Sequence, residues 1–198
     1  MKRLSTVTAG LLVAALALFG CTIPQYEPGW IALIDGEKGL ENFVRNGDAN
    51  WRAEDGAVVA DKGGKVISTL VSKNSYRDFQ LRVEFWVTED TNSGIYIRIS
   101  DPKKISGSTA YEVNIYDKRP GQNYGTGAIP NVAPVVHMPK TGGKWNTFEI
   151  TAKGSNLVVV LNGERTINTY NSDFPSGNIA VQYGHGVVKV RKLEIKPL

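Results

Sequence analysis

A chain of 198 residues, 41% of them apolar and with 21 Gly and 9 Pro, is long enough for one well-filled domain and too apolar for disorder. Its formal charge of +4 includes Lys2 and Arg3 at the start of the chain; without them 21 basic residues face 19 acidic ones, and no basic run or glycine-lysine phosphate loop occurs. That balance speaks against nucleic acid as a partner, which needs a concentrated basic surface.

In chain order, the first element is "MKRLSTVTAGLLVAALALFGC". Two basic residues precede an apolar run over 11–19 that is too short for a spanning helix and has the layout of an export signal. Leu18-Phe19-Gly20-Cys21 resembles the bacterial lipobox, whose cysteine is lipidated and becomes the first mature residue. Cys21 is the single cysteine, so no disulfide within the chain can form, and an unpaired exported thiol would be a liability. These features predict a lipoprotein signal at 1–20, a tether at 21–28 and one domain at 29–198. They place the protein in a bacterial envelope, facing the periplasm or the exterior and touching membrane only through lipid on Cys21. The alternative is an ordinary signal peptide cut nearby, with Cys21 incidental.

Beyond the tether the sequence reads as strands. Runs rich in β-branched and aromatic residues fall at 31–34, 51–54, 57–60, 66–70, 79–87, 95–99, 111–116, 145–152, 157–161, 164–170, 178–183 and 187–195, separated by Gly, Asn and Asp. Asp55-Gly56 and Asn162-Gly163 are hairpin signals, because both central positions of a type I′ turn need positive φ. Short strands at this spacing predict an all-β, two-sheet sandwich. In the last run Val188 and Val190 are out of phase with Leu193 and Ile195, which predicts a β-bulge at Arg191-Lys192. Two polar bridges, 100–110 and 118–143, are long enough to be functional loops.

Side chains alternate across a strand, so each run divides into two faces. Leu81, Val83, Phe85 and Val87 oppose Arg82, Glu84 and Trp86. Ile95, Ile97 and Ile99 oppose Tyr96 and Arg98. Tyr111, Val113 and Ile115 oppose Glu112, Asn114 and Tyr116. Ile179, Val181 and Tyr183 oppose Ala180 and Gln182, with His185 just past the strand end. The polar sets combine Trp and Tyr with Arg, Glu, Asn and Gln, a mixture suited to stacking on a sugar ring and bonding its hydroxyls. Parity thus predicts one shared face carrying Arg82, Glu84, Trp86, Tyr96, Arg98, Glu112, Asn114, Tyr116 and Gln182, with Asn92 at its rim. The plainer alternative is a loop folded over these aromatics.

The blocks "NSGIYIR", "YEVNIYD", "TGAIPNVAP", "GGKWNTFEI", "VVVLNGE" and "GNIAVQYGHGVVKVRKLEIK", in this order, resemble those of the 3-keto-disaccharide hydrolase family, long catalogued as a domain of unknown function. "GWIALIDGEKGLENF" and "WRAEDGAVVA" are similar to its opening blocks, so the resemblance spans 29–198. It departs at Pro130-Asn131, where the family often has Tyr, at Asn114, where Gln is frequent, and at Lys192, where Asn is common. The resemblance implies a concanavalin A-like jelly-roll sandwich, in secreted or lipidated bacterial proteins, that cleaves glycosides carrying a ketone at C3. Such a ketone acidifies the proton at C2, so a base can start an elimination that expels the C1 oxygen, and water added afterwards makes the net reaction a hydrolysis. That route needs a base and a stabiliser for the enolate oxygen, not the carboxylate pair of ordinary glycosidases.

His185 suits the base by type, since imidazole titrates near neutrality; alternatively it sits in a glycine-rich turn without chemical duty. Glu112 is the second candidate, as base or metal ligand, with a salt bridge to Arg98 as its structural alternative. Arg98 could hold hydroxyls or the enolate through its planar fork. Asn92-Ser93-Gly94 could present groups at the rim or simply form a turn, and His137 reads as a surface residue. A divalent metal on Glu112, Glu84 and His185 is compatible with the residue types, but no spacing calls for one. The sequence leaves three readings open: a hydrolase or lyase acting on 3-keto-disaccharides, a non-catalytic carbohydrate-binding module, and an envelope lipoprotein that binds protein.

Overall fold

Alternating burial organises the architecture. In β6 (Phe79–Val87) every second residue is buried, and the ones between are only partly covered. The computed structural model describes residues 29–63 and 65–198, so the expected signal and tether, with Cys21, lie outside the described residues. The other strands, in chain order, are β1 (Ile31–Asp35), β2 (Phe43–Asn46), β3 (Arg52–Glu54), β4 (Ala57–Ala60), β5 (Ser68–Tyr76), β7 (Asn92–Ile99), β8 (Tyr111–Ile115), β9 (Trp145–Lys153), β10 (Asn156–Leu161), β11 (Glu164–Tyr170), β12 (Gly177–His185) and β13 (Val188–Pro197). They form two antiparallel sheets. The larger runs β11-β10-β9-β6-β13-β4-β3, with β1 also on β13, and the smaller runs β2-β5-β12-β7-β8.

The inner faces make one core. Leu81, Val83, Phe85 and Phe148 from the larger sheet meet Ile95, Ile97, Val113, Ile179 and Val181 from the smaller. Phe85 stacks on Phe148 with ring centroids 4.9 Å apart. Each such side chain withdrawn from water contributes about 1.5–3 kcal/mol, and this burial, rather than any single contact, binds the sheets together.

Both predicted hairpins form as two-residue turns, with Asp55 and Gly56 at φ 51° and 72° and Asn162 and Gly163 at 52° and 83°. The predicted bulge is present: Val190 faces Phe85 while Lys192 faces Glu84, so Arg191 is the extra residue. Other boundaries differ from the sequence reading. β5 begins at Ser68 and continues through the polar residues to Tyr76, leaving Val66 and Ile67 exposed. β2 has no counterpart among the predicted strands. Asn92-Ser93-Gly94 belongs to β7 rather than to a turn, and Ser93 Oγ donates to Gln182 O at 2.7 Å inside the sheet.

A second bulge reverses the expected parity at the end of β7. Tyr96 faces Ala180 and Ile99 faces Asn178, so β7 carries one residue more than β12 across this interval. Arg98 takes it up, at φ 54°. As a result Ile99 turns outward, into a small cluster with Val71, Tyr96, Ala110 and Ala180, instead of joining Ile95 and Ile97 in the core.

Candidate functional site

Register lays out the outer face of the smaller sheet. Gly94 lies between Asn114 of β8 and Gln182 of β12, and the next rung places Tyr96 between Glu112 and Ala180. Asn92 pairs with His185 at the other end, and Tyr116 follows β8 directly. Both long loops fold onto this face. Ile105 and Ala110 of loop 100–110 pack on Val71, Tyr96 and Ala180, which closes one end. Loop 118–143 runs along the free edge of β8, where Asn114 N–H donates to Ala128 O and Asn114 O accepts from Gly127 N–H. Between the loops, Asn92, Glu112, Asn114, Tyr116 and Gln182 line a cavity of about 170 Å³, together with Arg119 and Tyr124 of the second loop.

Glu112 is the chemical centre of this cavity. A Cβ on Gly94 would stand 2.8 Å from Glu112 Oε1 and 3.1 Å from its Cγ, so the carboxylate arm lies over the bare backbone of its neighbour strand. Glycine inside a strand often marks such a close approach. Burial penalises the charged carboxylate and pushes its pKa up to about 7, although hydrogen bonds from Tyr96 and Gln182 oppose the shift. Burial, and then the neighbouring Glu112 charge, raise the Tyr96 phenol well above its ordinary range. Gln182 Nε2 donates to Tyr96 Oη at 3.0 Å, whereas Gln182 Oε1 is buried with no hydrogen-bond partner. Buried acceptors of this kind are rare in folded proteins.

His185 stands at the rim, exposed, with its ring edge-on to Tyr116 at 5.6 Å and 80°. Arg119 lies over the Tyr124 ring at 4.7 Å and near that of Tyr116 at 5.9 Å. The loop that carries them is pinned by Asp117, which accepts from Thr126 Oγ1 (2.6 Å), from Thr141 through N–H and Oγ1 (2.5 and 2.8 Å), and from Gly142 N–H (2.9 Å). Asn114 Nδ2 donates to Tyr124 O and fixes the wall from the strand side.

The single shared face predicted by parity is corrected in two respects. Arg82, Glu84 and Trp86 do project outward, but from β6, which belongs to the larger sheet. They therefore face the opposite side of the sandwich, where Glu84 pairs with Arg191 at 2.6 Å and Trp86 lies beside Lys189 at 5.5 Å. Alternation says which way a side chain leaves its own sheet, not which sheet that is. Arg98 is wholly buried. Its bulge turns it away from the cavity, and it donates to Arg77 O (2.8 Å), Gly154 O (2.7 Å), Phe174 O (3.4 Å) and Asp78 Oδ1 (3.0 Å). It thus ties three connections together at one end of the sandwich and offers Glu112 no counter-charge. The metal trio fails for the same reason as the shared face, since Glu84 is on the far side from Glu112 and His185. Among the described residues no group of three His, Cys, Asp or Glu could hold a metal ion. His137 is exposed on its loop, as expected.

The structure adds Arg119 and Tyr124 to the site and sets Gly94, expected at the rim, against the Glu112 carboxylate arm. Gly94 had a legible signal, a glycine in a strand pattern, while Arg119 and Tyr124 sit in a loop without periodicity and carried none.

Comparison with known proteins agrees with the fold. Two solved structures of candidate glycosyl hydrolases from Parabacteroides distasonis ATCC 8503 share the fold. One has TM-score 0.73 at 20% identity, covering 86% of this chain and 94% of the other; the second has 0.72 at 22%, covering 85% and 99%. The carbohydrate-binding module CBM66 from Bacillus subtilis superposes with TM-score 0.59 at 16% identity, covering 85% and 94%. These similarities establish a concanavalin A-like, galectin-like sandwich. No curated protein matches the chain. The family model of the 3-keto-alpha-glucoside-1,2-lyase-like domain matches residues 29–196, and the chain belongs to that family.

Proposed function

We propose that this protein cleaves 3-keto-glycosides by β-elimination, with Glu112 as the proton-transfer group. One observation carries the reading: a carboxyl group on a cavity floor, its pKa pushed up to about 7, where a base is most effective at neutral pH. In the first step Glu112 takes the proton from C2, and that C–H pair forms a C2=C3 double bond as the charge moves to the ketone oxygen. The enolate then collapses, C1=C2 forms, and the C1–O bond breaks to release the leaving alkoxide, which gains a proton. The product is a 2-hydroxy-3-keto-glycal; addition of water across its C1=C2 bond gives the hydrolysed sugar. Gln182 Oε1, an acceptor without a partner, suits a sugar hydroxyl, and Tyr116 offers a ring beside it. The volume, below that of a usual drug-sized pocket, suits one ring rather than an extended chain. In this reading His185, exposed at the rim beside Tyr116, protonates the leaving group or assists the water step. The same reading has the domain lipid-anchored through Cys21 at a bacterial envelope.

A sugar-binding module without turnover is the second reading, and the likeness to CBM66 favours it. Incubation with 3-keto-disaccharides and with their unoxidised parents, followed by NMR, separates the two. The enzyme reading expects products from the ketones alone and a loss of about 10²-fold or more in both Glu112→Gln and His185→Ala. Trp86→Ala, on the far sheet, keeps full turnover. Binding of the ketones without any product refutes the enzyme reading.

A further inference from the structure

We infer that Arg119 is the catalytic residue that binds the enolate oxygen, an assignment that rests on the elimination reading above. Among the described residues lining the cavity, Arg119 is the only cation. Its guanidinium is held against Tyr124 at 4.7 Å and near Tyr116 at 5.9 Å, and among the described residues it forms no ion pair, so its N–H donors are free for a ligand. Arg119 is exposed, and its contact with the tyrosine faces leaves the edges of the fork available. Arg119 and Glu112 line the same cavity, and among the described residues they form no ion pair with each other.

The chemistry calls for both groups. When the C2 proton leaves, negative charge collects on the ketone oxygen at C3, one atom beyond the carbon being attacked. A base on C2 and a fixed cation on the oxygen of C3 act on opposite ends of the same polarised unit. The ground-state ketone oxygen carries only partial charge and the enolate a full one, so the guanidinium bonds the transition state more strongly than the substrate. The bond in the glycoside that breaks is not touched by Arg119. Its contribution must therefore appear in proton removal even where no leaving group is present.

That property supplies the test. A 3-keto-1,5-anhydro sugar has an acidic C2 proton but no exocyclic leaving group at C1, and its exchange with deuterium in solvent is read by NMR. The wild-type protein is expected to catalyse exchange, and Arg119→Ala to slow it by about 10²–10³-fold, the scale for removing one oxyanion donor. Arg119→Gln keeps a polar, though shorter, side chain without the charge and should show a similar loss at an unchanged melting temperature. Exchange in both variants within about threefold of wild type overturns the assignment while leaving Glu112 as base. Absence of exchange in the wild-type protein itself overturns the elimination reading and the role of Arg119 with it. Loss in Glu112→Gln alone, with Arg119 variants normal, again removes Arg119 and keeps the base.

Discussion

Replacing Glu112 by glutamine should make the protein more stable as it makes it less active, and the gain should depend on pH. In the folded chain the carboxyl group titrates at about 7 instead of its ordinary 4.5, because burial penalises its charge. The folded state therefore keeps a proton that the unfolded chain has lost throughout the interval between 4.5 and 7. In that window stability falls as pH rises, and above it the whole penalty is present. The gap corresponds to about 3 kcal/mol at most, and solvent in an open cavity reduces it to about 1–3 kcal/mol. Glutamine has nearly the same shape, carries no charge, and its amide oxygen can still accept from Tyr96 and Gln182. For a domain of this size the gain corresponds to a rise in melting temperature of about 3–10 °C. Thermal unfolding of wild type and Glu112→Gln at pH 4.5 and pH 8.5 checks the argument. Equal melting temperatures are expected at the lower pH and a clear advantage for the variant at the higher. A difference that is the same at both values, or a less stable variant at pH 8.5, would refute the claim that a buried charge is tolerated here for function.

Three further predictions concern groups whose roles the structure assigns or the sequence proposes. Gly94→Ala keeps a backbone that any residue can adopt, but its methyl group would press on Glu112 Oε1; turnover of a 3-keto-glycoside should fall by about 10²-fold, since displacement of a reacting group by about 1 Å is costly, with little change in urea unfolding. Arg98→Ala removes the guanidinium that bonds three carbonyl groups and pairs with Asp78, which keeps only the Gly154 N–H, and urea unfolding should show a loss of about 3–5 kcal/mol, while activity per folded molecule is retained. Mass spectrometry of membrane-extracted protein should find a chain that begins at a lipid-modified Cys21, and an unmodified cysteine or a different start would remove the lipoprotein assignment.

Much of the sandwich was legible because its forces are local or periodic. Leu81, Val83 and Phe85 alternate with polar neighbours, and the core receives them in that order. The Asp-Gly and Asn-Gly turns fix hairpins by backbone chemistry alone. Even the bulge at Arg191 could be read, since a slipped phase between two apolar pairs has one economical repair. The second half of β5 and the whole of β2 escaped. β5 carries Lys73, Asn74 and Ser75, all exposed, so its pairing with β12 is held by ladder bonds rather than by an apolar pattern. β2 is a short edge strand with only Phe43 buried.

The site was legible only where neighbouring strands carry it. Tyr96, Glu112, Asn114 and Gln182 come from β7, β8 and β12, which lie side by side, so a parity argument made strand by strand brought them together correctly. Glu84 and Trp86 obey the same parity and are nevertheless absent, because β6 follows β5 in sequence but crosses to the other sheet. Their aromatic and charged character then serves contacts with Arg191 and Lys189 on a face with no cavity lined by Glu112. Arg98 fails for a different reason. A single inserted residue in β7 inverts the faces beyond it, and nothing in "GIYIRIS" reveals the insertion, since its isoleucines keep alternating through it. Only the partner strand does so, through the register of Asn178 and Ala180 against Ile99 and Tyr96. A buried arginine bonded to three carbonyl oxygens and one carboxylate is the consequence. The cation that the cavity does have, Arg119, comes from a loop whose position depends on Asp117 meeting Thr126, Thr141 and Gly142, contacts between residues up to 25 positions apart. Alternation can identify a face, but the charge placed above it is decided by such long-range bonds, which is why the face of Glu112 could be read in this sequence while Arg119 could not.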